Sequence, residues 1–277
     1  MIEFLSSLKS SYVFHLAILA GIITSFTSGI MGSYVVVKKI SSITGSISHS
    51  ILGGIGFFIF LNYHFNTNIF SPLQGGILAA LISAFFIGFI HLKYKQKEDA
   101  VIASIWSFGM ALGIIFLTLV PNQEATCTHY LFGDIFSITP KDILFLSILA
   151  FVIIFITIYY YKKFLLICFD EEAAYLQKIK VKSLYFLLLS MISISIVLMV
   201  QTVGIILVIA LLTIPATIAN SFKHKLSHVM ILAIILSIIF NIIGITISFV
   251  FSYPPGATIA ITTTIFYVIS LIVKKNI

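Results

Sequence analysis

Residues 12–37 read YVFHLAILAGIITSFTSGIMGSYVVV, and Lys38-Lys39 closes the run. Within it there is no Asp, Glu, Lys or Arg. A helix of this length measures about 39 Å, enough to cross a hydrocarbon layer of about 30 Å. Lys9 ahead of the run resembles the basic start of a secretory signal. The apolar stretch is far longer than the roughly 7–15 residues such a signal carries, so it reads as a retained span. Eight more runs of helix length follow, at about 44–61, 72–90, 100–120, 142–161, 184–200, 203–221, 229–251 and 257–273.

The composition of the 277 residues agrees: 60% are hydrophobic and 9% charged. Mean hydropathy is +1.17. A soluble domain carries roughly a quarter charged residues, so this chain cannot cover its apolar surface with a polar shell, and a soluble enzyme is excluded. The ten-residue alternation of a membrane β-barrel is not seen. The expected fold class is all-α: a polytopic transmembrane bundle of eight or nine helices, with residues 1–277 as one transmembrane domain. The count turns on 184–221, which reads either as two spans joined at Gln201–Gly204 or as one span plus a re-entrant piece.

The net charge of +7 comes entirely from lysines, since no Arg occurs. They cluster between the runs, at Lys38-Lys39, Lys93-Lys95-Lys97, Lys162-Lys163 through Lys182, Lys223-Lys225 and Lys274-Lys275. That placement marks membrane topology rather than a nucleic-acid surface. With nine spans every cluster falls on one side, which would make that side and the C-terminus cytoplasmic and the N-terminus external. Lys9 and Lys141 are minor exceptions. Cys127 and Cys168 lie far apart and outside any CxxC pattern, so no disulfide framework is implied. No GxxxxGK[ST] sequence is present, so the chain does not bind ATP through a P-loop.

Few residues could carry chemistry. His49 follows Ser41-Ser42-Ile43-Thr44-Gly45-Ser46-Ile47-Ser48 and precedes Ser50-Ile51-Leu52-Gly53-Gly54-Ile55-Gly56. On a helix, Ser42, Gly45, His49, Gly53 and Gly56 share one face. Such a stripe admits a close neighbour or lines a cavity. Imidazole can ligate a transition metal or simply bond an adjacent helix; one His alone makes no site, though a second copy would bring two to an axis. Between Pro121 and Pro140, Glu124, Cys127, His129 and Asp134 are either metal ligands at an external entry or ordinary polar groups of a loop. His15 reads as buried or interfacial, His64 as an external loop residue, and His224 with His228 as part of a basic membrane-surface face. Asp170-Glu171-Glu172 is the chain's acidic cluster; it suits a helix start or a docking surface for a soluble partner.

Several segments, in order, resemble one family. They are Ser28–Lys39, Ser48-His49, Tyr130–Ile135 with Thr139-Pro140, Phe169–Ala173, Val203-Gly204, Ala210–Thr217 and Pro255–Thr258. Together they are similar to the membrane permeases of bacterial ABC transporters for zinc, manganese and iron(II). The resemblance implies a multi-pass protein of the cytoplasmic membrane, a pore made with a second permease copy (identical or related), a separate cytoplasmic ATPase dimer that uses the ATP, and an external metal-binding protein. It implies no permanently bound cofactor, only a transported divalent ion. His49 would be the pathway ligand, with Ser46 beside it, and Phe169, Asp170, Glu171, Glu172 and Ala173 would couple to the ATPase. One departure stands out: the family's usual Asp, four residues before the His, is Gly45 here. The rival readings are a permease for an iron chelate or corrinoid, an ion-coupled secondary transporter and an intramembrane hydrolase. The second would want mid-span carboxylates, which are not found. The third would want a nucleophile with an oriented base.

Overall fold

Each span begins and ends on local chemistry. The Ser11 hydroxyl accepts from the Phe14 amide at 3.3 Å and starts α1 (Tyr12–Val37). Lys38 closes it, and α2 (Ser41–Phe65) follows after a two-residue turn. Asn66, left-handed at φ 49°, ends α2. Then come α3 (Pro72–Lys93) and α4 (Glu98–Thr118). A short α5 (Glu124–Phe132) and one 3-10 turn (Ile135–Ser137) lead into α6 (Pro140–Phe169), which starts with Pro140 behind a capping box between Thr139 and Asp142. The chain continues with α7 (Glu171–Leu176), α8 (Val181–Val203), α9 (Ile205–Phe222), α10 (Leu226–Phe251) and α11 (Pro255–Lys275). This computed structural model describes residues 11–67, 69–93, 98–121 and 123–275, and for 98–99, 124–127 and 275 the backbone alone. Lys9, Lys95 and Lys97 lie outside the described residues.

Among the described residues there is no strand, and nine helices are long and apolar enough to cross a membrane: α1–α4, α6 and α8–α11. The 184–221 stretch is therefore two spans, parted at Gly204. The count of eight or nine resolves to nine. Two boundaries differ from expectation. The helix that starts at Pro140 runs 30 residues rather than stopping near 161; at about 45 Å it outruns the hydrocarbon layer and carries Lys162 and Lys163 beyond it. The Pro121–Pro140 segment, expected as a loop, is mostly α5 and the 3-10 turn.

Two packing groups position the functional residues. In one, α2 is clasped between α3 and α4 and borders α8. In the other, α1 lies against α10, α9 and α6, with α11 behind α9 and α10. Contacts of α8 with α6, α9 and α1, and of α2 with α9, join the groups. Close approach relies on small residues, as usual between membrane helices. A Cβ added at Gly29 would stand 2.5 Å from Ile234 Cγ1, and one at Gly53 2.9 Å from the Gly109 carbonyl oxygen. One polar clamp crosses the second group: Asn241 on α10, 1% exposed, donates at 2.9 Å to both the Gly21 carbonyl and the Ser25 hydroxyl of α1.

Candidate functional site

His49 lies about two turns inside α2. Its ring stacks on the indole of Trp106 from α4, centroids 4.7 Å apart and planes 17° from parallel. Its Nδ1 is buried and has no hydrogen-bond partner. A buried ring nitrogen left unsatisfied is costly and is rare in folded proteins, and an ionisable side chain inside a span is a candidate functional site. Trp106 is the single tryptophan of the chain. Sequence reading passed over it because nothing in its spacing ties it to His49.

The glycine stripe serves helix packing and, at Gly53, also lines a cavity of about 460 Å³ shared with Ser50, Gly54 and Gly109. Gly45, Gly53 and Gly56 all face α4: a Cβ at Gly56 would come within 2.7 Å of the Gly113 carbonyl oxygen. At Gly45 the neighbour is the indole itself, whose Cζ3 stands 2.9 Å from where a Cβ would be. Trp106 therefore fills the space one turn before His49. The buried Ser46 hydroxyl donates to the Ile102 carbonyl at 2.9 Å. Ser48 and Ser50 donate to their own helix at Thr44 and Ile47. None of these hydroxyls is poised as a nucleophile.

The residues of the external segment are not gathered. Among the described residues no group of three or more His, Cys, Asp and Glu side chains could hold a metal. The Asp134 carboxylate caps the 3-10 turn, accepting from the Phe136 amide at 3.1 Å. His129 is exposed, edge-on to Tyr130. The side chains of Glu124 and Cys127 lie outside the described residues. What the segment does build is a backbone node. Gly133 (φ 69°, ψ 164°) and Gly204 (φ 82°, ψ 162°) occupy a region open essentially to glycine alone. Each faces the other's backbone, and Gly256 closes on the Phe132 carbonyl. Three of the family-like segments thus meet at one point, where α5, the α8–α9 break and the start of α11 touch. His15 is exposed rather than buried, in the first turn of α1, where it bonds the Ser11 carbonyl. His64, His224 and His228 are exposed as well.

At the opposite end, the acidic cluster divides. The Asp170 carboxylate caps α7, accepting from the Ala173 amide at 2.8 Å. Glu171 turns inward. Lys38 at the end of α1 donates to its carboxylate and, at 3.0 Å, to the Ile167 carbonyl. His91 Nε2 of α3 approaches the same carboxylate oxygen at 3.5 Å. Burial would raise the Glu171 pKa, but the bond and charge of Lys38, with His91, outweigh it and hold the carboxyl below the usual range. The Lys38 ammonium also sits 5.4 Å from the Tyr185 ring centroid of α8. Phe169, Asp170, Glu172, Tyr175 and Leu176 stay exposed, and Ala173 is half-buried. A cleft of about 720 Å³ opens beside them, lined by Leu92, Tyr175, Leu176 and Lys182 among others.

Comparison with known proteins places this architecture. A membrane protein of Chlamydia trachomatis, named a probable metal transport system membrane protein, is 41% identical over 276 residues, covering 100% of this chain and 94% of its own. The manganese transport system membrane protein MntC of Listeria monocytogenes is 30% identical, covering 97% of this chain and 93% of its own. The solved structure described as PsaBC from Streptococcus pneumoniae in complex with Fab superposes with a TM-score of 0.84 at 25% identity, over 98% of this chain and 95% of that one. The sequence profile of the ABC 3 transport family matches residues 10–274, and the chain belongs to that family, the metal-type permeases of ABC transporters.

Proposed function

We propose that this chain is the membrane subunit of a bacterial importer that carries a divalent first-row transition metal across the cytoplasmic membrane. A separate cytoplasmic ATPase dimer would drive it, and an external metal-binding protein would deliver the ion. The observation that carries this reading is the His49 imidazole, held inside a span with a buried, unpartnered Nδ1, in a chain whose relatives are named for metal transport. Imidazole suits zinc, iron and other borderline metals; the name of the Listeria relative points to manganese. A second copy of the permease, or a related chain, would supply a facing ligand. A site with few ligands suits transport, because the ion must also leave. The lysine-rich end is then cytoplasmic, and the C-terminus lies there with it.

At that end α7 and the exposed side chains around it would receive the ATPase. Asp170 and Glu171 keep α7 in place, while Phe169, Glu172, Tyr175 and Leu176 form the contact. ATP binding would favour one arrangement of α7, and only a partner with different affinity for the two states can shift access. The chain itself forms no covalent bond with its cargo.

The test is metal accumulation in starved cells expressing the permease with its ATPase and binding protein, with zinc, manganese and iron measured together by elemental mass spectrometry. The wild type should accumulate one metal above background, and His49→Ala should lose that rise while still inserting in the membrane. Equal accumulation in both would refute His49 as the pathway ligand; none in either would refute metal import.

A further inference from the structure

Gly45 and Trp106 occupy one small volume against His49. Gly45 lies one helical turn before His49 on the same face, where a side chain could reach an ion held by the imidazole. The indole stands there instead, 2.9 Å from the point a Cβ at residue 45 would take and stacked on the ring at 4.7 Å. Trp106 is 38% exposed, so the indole that stacks on the imidazole is not sealed inside the bundle. The nearest hydroxyls are committed elsewhere: Ser46 to Ile102, Ser48 to Thr44 and Ser50 to Ile47. The α2 turn therefore offers an ion at the imidazole no carboxylate, only hydroxyls whose protons are held by backbone carbonyls, while the His49 Nδ1 stays unpartnered.

We propose that Trp106 is a specificity-determining residue: by filling the space above Gly45 it keeps oxygen donors away from an ion at His49 and leaves a nitrogen-based site. Carboxylate and carbonyl oxygens suit manganese and magnesium, whereas imidazole suits zinc and iron. The indole thus biases the site toward zinc relative to manganese. The effect is steric and electrostatic, because the aromatic face excludes water and brings no anionic ligand. It also explains why residue 45 is glycine here: with the indole in place, no larger side chain fits without displacing Trp106. This inference rests on the proposed role of His49 as a metal ligand.

Purified full-length permease in lipid nanodiscs, titrated calorimetrically with zinc chloride and separately with manganese chloride, tests it without the ATPase. Nearly any nitrogen and oxygen site ranks zinc above manganese, so the ratio of the two affinities is what matters. Trp106→Ala with Gly45→Asp should lower the zinc-to-manganese ratio at least tenfold, chiefly by tightening manganese. Gly45→Asp alone should move it less, because the indole still occupies the space. Trp106→Ala alone, folded by circular dichroism and gel filtration, controls for loss of the stack. An unchanged ratio in a folded double variant overturns the selectivity role while leaving His49 as a ligand. Wild type and His49→Ala binding both metals equally, or neither, overturns His49 as a ligand and this inference with it.

Discussion

Replacing Glu171 with Gln should free α7, while replacing Glu172 should not. Lys38 is 8% exposed at its side chain and Glu171 31%. Gln keeps the shape of the side chain but removes the charge that faces both Lys38 and His91. A buried donor that loses a charged acceptor costs about 1–3 kcal/mol. Lys38 retains the Ile167 carbonyl and the Tyr185 ring, so the lower part of that range applies, about 1–2 kcal/mol, or about a 5–30-fold rise in local opening. Hydrogen exchange of the α7 amides in the purified permease would read it directly: faster by that factor in Glu171→Gln, unchanged in Glu172→Gln. In the assembled transporter, Glu171→Gln should also reduce ATP-driven uptake. The acid dependence has a fixed sign. The carboxyl is held below its ordinary value of about 4.5, so its contribution is complete above that value and disappears as the pH falls through the lower, folded-state value. Exchange that rises equally in both variants, or in neither, would refute the inward anchor.

Three other substitutions probe the rest of the bundle. Gly204→Ala combines a glycine-only backbone region with a Cβ aimed 2.5 Å from the Phe132 carbonyl carbon, and should cost about 2–6 kcal/mol from strain and overpacking together; Gly76→Ala meets only side-chain methyl and methylene groups at 3.2 Å or more and should cost less than about 1 kcal/mol, the two being compared by denaturant unfolding in micelles. Asn241→Leu removes the α1–α10 clamp and should cost about 0.5–1.5 kcal/mol, in the range of hydrogen bonds between membrane helices; a loss above about 3 kcal/mol would mean that the Asn serves more than packing. Because Trp106 is the single tryptophan, zinc binding at His49 should change its emission in the wild type and leave it unchanged in His49→Ala, which a fluorescence titration checks.

The spans were legible because membrane length and charge exclusion act on every residue of a run, so nine apolar segments survive small errors in any one. Their ends were less so. Lys162-Lys163 looks like a terminus, yet α6 continues to Phe169 because a long helix can leave the bilayer without breaking. Gln201–Gly204 was rightly suspect: Gly204 is the break between α8 and α9. Pro121–Pro140 read as a loop because α5 is short and mixed in character, and its helix is held by α4, α8, α9 and α11 rather than by its own periodicity. His49 stood out as an ionisable residue among glycines and serines. Trp106 did not, since a lone aromatic on another span is indistinguishable from packing until the helices are placed. The inward turn of Glu171 was hidden for the same reason: Asp170, Glu171 and Glu172 look alike until Lys38 and His91 arrive from α1 and α3.

The family-like segments and the selectivity of the site lie in different places. Gly133, Gly204 and Gly256 join backbone to backbone at one end; Asp170 and Glu171 fix α7 at the other. Both are devices of architecture, indifferent to which ion passes, and a relative that imports a different metal would need them equally. The proposed chemistry lies between, at His49, and the indole stacked on His49 comes from α4, outside all of those segments. Two chains can therefore match motif for motif and differ in cargo through one aromatic residue that no motif includes. On the proposed reading the pair at residues 45 and 106 biases the choice of metal, and exchanging that pair should change selectivity while leaving assembly and coupling to the proposed ATPase intact.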